Sequence, residues 1–388
     1  MMPAYISGIG VLLPNAPVTN AEIENVLGPI NGIASRTKRL ILRNNGILTR
    51  HYAIDPATGR PTHTNAQLTA EAVRALARAA GFPLDAIDCL VCATSSPDQW
   101  IPNHGLMVHG ELKCPPCEVV ATAGVCASGM TALKYAWMSV LTGQSRRAVA
   151  TASEMSSSVL RASQFPARTG PETLDIEKTP LVAFDQEFLR WMLSDGAGAV
   201  CVTPAPAAAG LSLRIEWIDL VSFANETETC MYWGGRKRGD GVFEGWCQTE
   251  DPLAGLANGA MNVTQDVKLL AREIGVRTVE AFTRIREKRG IAPDKVDWFL
   301  PHYSSQYFKR EAHDRFAAAG FPIPYEKWFT NLATKGNTGS ASTFIMLEEL
   351  LASGRLKAGE TILCMVPESA RFSAAYALLT VVGPDGRV

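Results

Sequence analysis

The sequence predicts an α/β fold made of two similar halves, and three observations carry that expectation. Helical and extended patterns alternate along the whole chain, as they do where helices cover a shared sheet. The 388 residues are 47% hydrophobic, enough for a large core and more than one ordinary core requires. One stretch of the first half also lies over a stretch of the second at a constant shift.

The elements follow in order. The start, MMPAYISGIGVLLP, reads as a strand and lacks the basic region and small-residue site of an export signal. Residues 65–80 have helical spacing, with Leu68, Ala72, Val73, Leu76 and Ala80 on one face, and Gly81 ends the helix. A buried strand is expected over 88–94, a helix over 127–141 ending near Gly143, and a strand over 148–152. In the second half a long helix over 267–288 stops at Gly290, followed by a strand over 296–300 and a helix over 312–319. A helix over 340–352 closes at Gly354 and a strand over 361–366 follows.

The repeat is visible in the letters. GFPLDAIDCLVCATSS (81–96) lies over GIAPDKVDWFLPHYSS (290–305), a shift of 209, with Gly, both Asp and both Ser coinciding. Nearly the same shift pairs Gly143 with Gly354 and Glu154 with Glu368. The reading is an internal duplication, with halves at 1–205 and 211–388. Sites in such sheets lie beyond the strand ends, where loops of both halves meet.

Charge and cysteines exclude several classes. With 37 basic and 38 acidic side chains the net charge is −1, and no basic surface for nucleic acid is expected. No apolar stretch reaches the roughly 18 residues of a membrane span. Nine cysteines without an export signal fit reduced thiols, so a cytoplasmic location is expected. Cys89-Leu-Val-Cys92 and Cys114-Pro-Pro-Cys117 together resemble a four-thiol zinc set. That reading fails at Cys89 and Cys92, which sit in a strand where residues three apart point to opposite faces. No metal is expected.

Cys126 lies in Ala-Thr-Ala-Gly-Val-Cys-Ala-Ser-Gly-Met, between an apolar strand and a helix. The positive field of the helix N-terminus would lower its pKa, although an inert buried thiol has the same local pattern. His302 follows the strand DWFLP and suits a neutral base or donor, or a plain cap. Asn337, in Lys-Gly-Asn-Thr-Gly-Ser-Ala-Ser, suits a donor or an N-cap. Together, Cys, His and Asn at loop-to-helix junctions form a set suited to thioesters: a thiol to take an acyl group, and neutral donors to hold an enolate or oxyanion.

GVCASGMTAL, LPHYSSQYF and TKGNTGSAS resemble the nucleophile, His and Asn motifs of the ketoacyl-acyl-carrier-protein synthase III group of the thiolase superfamily. Ile6–Pro14, Gly46-Ile-Leu-Thr-Arg-His51 and Asp195-Gly-Ala-Gly-Ala199 extend the resemblance over nearly the whole chain. The Cys-His-Asn trio is similar to the type III branch, and the C-terminal GFGPG loop of chalcone synthases is absent from the sequence. The resemblance implies an α-β-α-β-α layered fold, a homodimer and no bound cofactor. It also implies substrates carried on acyl carrier protein phosphopantetheine or on coenzyme A.

By the same resemblance, Cys126 is the acylated nucleophile, and His302 and Asn337 stabilise a malonyl- or β-ketoacyl-type thioester as it loses CO₂ and attacks. The alternative is an acyltransferase of the same fold that passes the acyl group to oxygen or nitrogen. The backbone N–H groups of Cys126 and Ala370 would form the oxyanion hole, although Pro367-Glu-Ser-Ala-Arg-Phe372 lacks the family's glycines. NGIASRTKRL lacks the Trp that stacks on a coenzyme A adenine, which favours delivery by a carrier protein. Arg236, Lys237, Arg238, Lys309 and Arg310 are candidate contacts for that acidic partner. The amphipathic piece at 180–192 would line an acyl tunnel or pack at an interface. Glu154 and Glu368 are candidate auxiliary acid/base groups, or structural carboxylates, and suit a cyclisation after condensation, as in dialkylresorcinol-type synthases.

Overall fold

The computed structural model describes residues 3–35, 37–165, 187–238, 242–251, 253, 255 and 260–388. Nine strands form the main sheet: β1 (Tyr5–Leu12), β2 (Cys89–Thr94), β3 (Glu118–Ala123), β4 (Ala148–Glu154), β5 (Gly196–Thr203), β6 (Ser212–Ser222), β7 (Trp298–Pro301), β8 (Thr361–Glu368) and β9 (Ser373–Val382). Their order is β7-β8-β9-β6-β1-β5-β4-β2-β3. Outward from the β1–β6 junction the two sides run alike, β1-β5-β4-β2 and β6-β9-β8-β7. In each, the outer pair is parallel and the remaining pairs are antiparallel. β3 extends the first side by one strand. At the junction Tyr5 pairs with Arg214 and Ile6 with Leu213, and Ile215 N–H donates to the Ala4 carbonyl at 3.0 Å.

The principal helices are α1 (Lys38–Asn45), α2 (Asn65–Ala80), α3 (His104–Leu112), α4 (Ser128–Leu141), α5 (Val267–Arg289), α6 (Tyr307–Ala318) and α7 (Ser342–Ala352). α2 begins with a capping box between Thr64 and Gln67 and ends at Gly81 in the left-handed conformation, so its termini are satisfied locally. The strand expected over 296–300 begins instead at Trp298, because Pro293 opens a 3-10 turn through Lys295. The helix expected over 312–319 begins a turn earlier, at Tyr307.

The cores fix the layers. One cluster joins Met130, Leu133 and Val140 of α4 with Phe344, Leu347 and Leu350 of α7 and with strands from both sides of the sheet. The central helices therefore lie between the two halves. Leu68, Val73 and Leu76 of α2 and Val108 of α3 cover the outer face of the first half. Phe282 and Ile285 of α5 and Phe316 of α6 cover that of the second. The result is the α-β-α-β-α layering that the family resemblance implies. All six side chains of β2 are buried, as expected of a strand covered on both faces. Cys89 faces the central cluster and Cys92 the outer one, so they do not converge on one ion. Among the described residues, no helix is long and apolar enough to cross a membrane.

Candidate active site

The central layer sets the chemistry. Cys126 follows β3 and precedes α4, with Ala127 at the helix cap. Gly124, at φ +145°, makes the turn that brings the thiol round from the strand. Cys126 is nearly buried, and its N–H makes no backbone hydrogen bond among the described residues. His302 directly follows β7, and its N–H donates to the Met365 carbonyl of β8 at 2.8 Å. Asn337 lies between the short helix Leu332–Lys335 and the 3-10 turn Gly339–Ala341 that leads into α7. Its backbone is held on both sides, donating to the Met192 carbonyl at 3.0 Å and accepting from Ser194 N–H at 2.8 Å.

The contact between the two central helices depends on a missing methyl group. A Cβ on Gly129 would stand 2.5 Å from the Ser340 carbonyl oxygen. The first turn of α4 can therefore touch the Asn337 loop only because residue 129 is glycine.

Two cavities meet at the thiol. The larger, about 790 Å³, is lined by Cys126, Asn337, Glu154, Ser304, Ser369 and Ala370 near the chemistry, and by Leu189, Met192, Trp233 and Phe243 farther out. Its size suits a small-molecule ligand. The smaller, about 60 Å³, is lined by Cys126, His302, Ser304 and Ser369 with apolar residues of α5 and α6. Cys126, Ser304 and Ser369 border both. The structure therefore places the sequence-predicted thiol, imidazole and amide around one junction. The Asn337 Oδ1 accepts from Gly339 N–H at 2.9 Å. This leaves the amide nitrogen, which makes no hydrogen bond among the described residues, as the group able to donate into the cavity.

The electrostatics correct one expectation. The Cys126 thiol is not lowered by the helix terminus: burial pushes its pKa well up, and the charges of Glu154 and Glu368 push it further. The Cys126 side chain is therefore a neutral thiol near pH 7. Burial alone depresses the His302 pKa to about 4, so its imidazole is neutral near pH 7 and able to accept a proton.

The two glutamates behave differently. Glu154 ends β4 and reaches the large cavity, but its carboxylate is saturated. It accepts from Ser96 Oγ at 2.7 Å, Ser340 Oγ at 2.8 Å and Ser95 N–H at 3.2 Å. Burial raises its pKa against those hydrogen bonds. Glu368 ends β8 and is found lining neither cavity. It folds back onto its own turn, accepting from Ala370 N–H and from Ser373 Oγ at 3.1 Å. The Ala370 N–H assigned to the oxyanion hole is thus already occupied, because a carboxylate stands two residues before it.

The basic candidates are also mostly engaged. Arg236 pairs with Glu244 at 2.8 Å, Lys237 pairs with Asp266 at 2.9 Å, and Arg238 is partnered as well. The hairpin that carries them turns its charges onto neighbouring carboxylates. Arg310 is 90% exposed beside Asp314, and Lys309 lies over the Tyr325 ring at 5.0 Å. Asp195, of the Asp-Gly-Ala-Gly stretch, is structural. It is buried, accepts from Ala53 N–H at 2.7 Å and Ser157 N–H at 2.8 Å, and burial raises its pKa to about 6.

The sequence reading missed the outer wall of the large cavity. Trp233 comes from a loop and Phe243 from the short strand Phe243–Gly245 of the second half, and Trp100 from the loop after β2, where it stacks on Trp246 at 4.8 Å. The run Met231-Tyr-Trp233 was the available signal, but nothing local says which face it lines. Of the segment at 180–192, residues 180–186 lie outside the described residues, while Leu189 and Met192 line the cavity.

Residues 286–368 match the family model described as 3-Oxoacyl-[acyl-carrier-protein (ACP)] synthase III C terminal, a span that contains both His302 and Asn337. The chain is 27% identical over 370 residues to a beta-ketoacyl-[acyl-carrier-protein] synthase III of Rhodobacter capsulatus, covering 92% of this chain and 93% of that one. Over nearly its whole length it is thus similar to a synthase III. The fold agrees. AbyA1, a tetronic acid condensing enzyme, superposes with a TM-score of 0.73 at 21% identity over 97% of this chain and 99% of its own. The OleA of Xanthomonas campestris, solved with lauric acid and lauroyl-CoA, gives 0.71 at 20% identity, with coverage of 97% and 99%. The synthase III of Aquifex aeolicus gives 0.68 at 20%, again with 97% and 99%. In this synthase III-like chain the thiol stands on the first half and the His and Asn on the second.

Proposed function

We propose that this synthase III-like protein joins two acyl thioesters by a decarboxylating Claisen condensation. The observation that carries the reading is the position of Cys126 at the meeting point of two cavities, one lined by Asn337 and the other by His302. In the first half-reaction the Cys126 sulfur attacks an acyl thioester. The C–S bond to the carrier breaks, and the proton of the neutral thiol passes by way of His302 to the departing carrier thiolate. In the second, a malonyl- or β-ketoacyl-type thioester loses CO₂. Its enolate oxygen is held by Asn337 and His302, and its carbon attacks the acyl–Cys126 carbonyl. The new C–C bond forms as the Cys126 C–S bond breaks, and the Cys126 N–H supports the oxyanion.

The partners follow from the same reading. The acyl group arrives on an acidic carrier protein, and Lys309 and Arg310 at the start of α6 are the basic pair left most available. Among the described residues β3 pairs only with β2, so its free edge is where a second copy would dock to make a homodimer. No bound cofactor is required, and a later cyclisation of the product is compatible with the size of the cavity.

Incubation with acyl- and malonyl-carrier protein, followed by mass spectrometry, tests the reading. An adduct on Cys126, release of CO₂ and a lengthened product are expected. An adduct without CO₂ release or chain extension would instead establish transfer to oxygen or nitrogen, and full activity in Cys126→Ala would overturn both.

A further inference from the structure

At the other end of β3 from Cys126, the side chains of His109, Cys114 and Cys117 converge. One ring nitrogen and two sulfurs, one from each residue, all lie within 4.8 Å of one another, and all three residues are partly exposed. They come from two pieces of chain that the fold turns back on itself. His109 lies in the last turn of α3. Lys113, at φ +54°, ends that helix in the left-handed conformation and donates its N–H to the His109 carbonyl at 3.1 Å. The loop Cys114-Pro-Pro-Cys117 then passes the histidine, and β3 begins at Glu118. Two consecutive prolines fix φ between the thiols and limit how far they can separate. The His109 ring is held in the same loop, with Nε2 3.2 Å from the Pro115 carbonyl. A carbonyl only accepts, so Nε2 donates there and Nδ1 is the ring nitrogen left to ligate, the arrangement in which a backbone carbonyl orients a metal-binding imidazole.

We propose that His109, Cys114 and Cys117 bind one zinc ion. Two thiolates and an imidazole are the donors that a tetrahedral d¹⁰ ion takes, and a water or a further thiol fills the fourth position. Ideal bond lengths put the donor atoms about 3.5–3.8 Å apart, so the set closes on the ion by side-chain rotation of about 1 Å. The set differs from the four-thiol arrangement suggested by the cysteine spacing. Cys89 and Cys92 stay locked in β2, and a histidine from α3 takes their place.

The site is remote from the proposed chemistry. Six residues of β3 separate Cys117 from the turn before Cys126, about 20 Å of extended chain. Its role is to clamp the start of β3, which among the described residues has a neighbour on only one side, to the end of α3.

The test is metal content and stability of the whole protein, purified without chelator from zinc-supplemented cells. About one zinc per chain is expected in the unaltered protein, and the same in Cys126→Ser and Cys247→Ser, which remove thiols elsewhere. Cys117→Ser should lose the metal. His109→Ala keeps both thiols and should bind zinc at least about tenfold more weakly in competition with a chromogenic chelator. Cobalt replacing the zinc should give a thiolate-to-cobalt charge-transfer band that Cys114→Ser removes. A strong chelator should lower the melting temperature of the unaltered protein but not that of Cys117→Ser. Substoichiometric zinc, zinc retained in His109→Ala at unchanged affinity, or a Cys114–Cys117 disulfide without metal would each overturn the assignment. None of these readouts depends on the condensing activity.

Discussion

Glu154 and Glu368 occupy matching places in the two halves, each the last residue of a corresponding strand, β4 and β8. Their surroundings differ because the connections after them differ. After Glu154 the chain runs from 155 to 195 before β5, and the carboxylate is left to bond serines of other segments, at Ser95, Ser96 and Ser340. After Glu368 a turn of only four residues leads into β9, and the carboxylate bonds to that turn, at Ala370 and Ser373. A duplicated strand end thus serves as a tie between halves on one side and as a lock on a tight turn on the other. The same asymmetry divides the site: the thiol comes from the first half, the imidazole and amide from the second.

The largest expected effect tests that division. Cys126→Ala, His302→Ala and Asn337→Ala should each reduce product formation by about 10³-fold or more, while Cys126→Ala alone abolishes the acyl adduct. If His302→Ala and Asn337→Ala left turnover intact, the second half would contribute no chemistry.

Next comes the tie between halves. Glu154→Ala leaves four donors from two other segments without their acceptor and should destabilise the fold by about 3 kcal/mol. Glu368→Ala opens only a local turn and should cost about 1 kcal/mol. Urea denaturation of both variants measures the difference, and equal losses would erase the contrast. Gly129→Ala acts on the same seam. Its Cβ would press on the Ser340 carbonyl at 2.5 Å, and a loss of about 1–3 kcal/mol is expected together with reduced activity.

Acid should unbalance the molecule through buried imidazoles in both halves. His104 and His302 are each depressed by burial to about 4, from an ordinary 6.5. Below 6.5 the unfolded chain takes up protons that the folded chain refuses, so their contribution to stability is intact above that pH and is lost as pH falls toward 4. Melting temperatures should drop across that window, and His302→Gln should flatten part of the slope. The smallest effect concerns reactivity. Glu368→Gln removes one negative charge acting on Cys126, and alkylation of the thiol near pH 8 should quicken by about threefold.

Much of this was legible in the letters, for identifiable reasons. Helix α2 was bounded correctly because Thr64, Gln67 and Gly81 satisfy its ends within a few residues of sequence. Cys126, His302 and Asn337 were legible because each sits at a strand-to-loop or loop-to-helix junction with its own local signature. The wall formed by Trp233, Phe243 and Trp100 was not legible, since those side chains meet only when segments of the two halves fold together. The Ala370 assignment misled for a related reason: the sequence puts the residue in the right turn, but only the folded turn shows Glu368 on its N–H.

The sequence by itself determined the alternation of strands and helices, the repeated order of the two halves and the residue types at the thiol junction. These rest on periodicity, capping and turn chemistry, all set within a few residues. Only the tertiary structure decided the ionisation of the site. Burial, a property of the whole packed body, outweighs the local helix field and keeps Cys126 a thiol and His302 uncharged. It also decided which cysteines meet, separating Cys89 from Cys92 across a sheet while folding His109 onto Cys114 and Cys117.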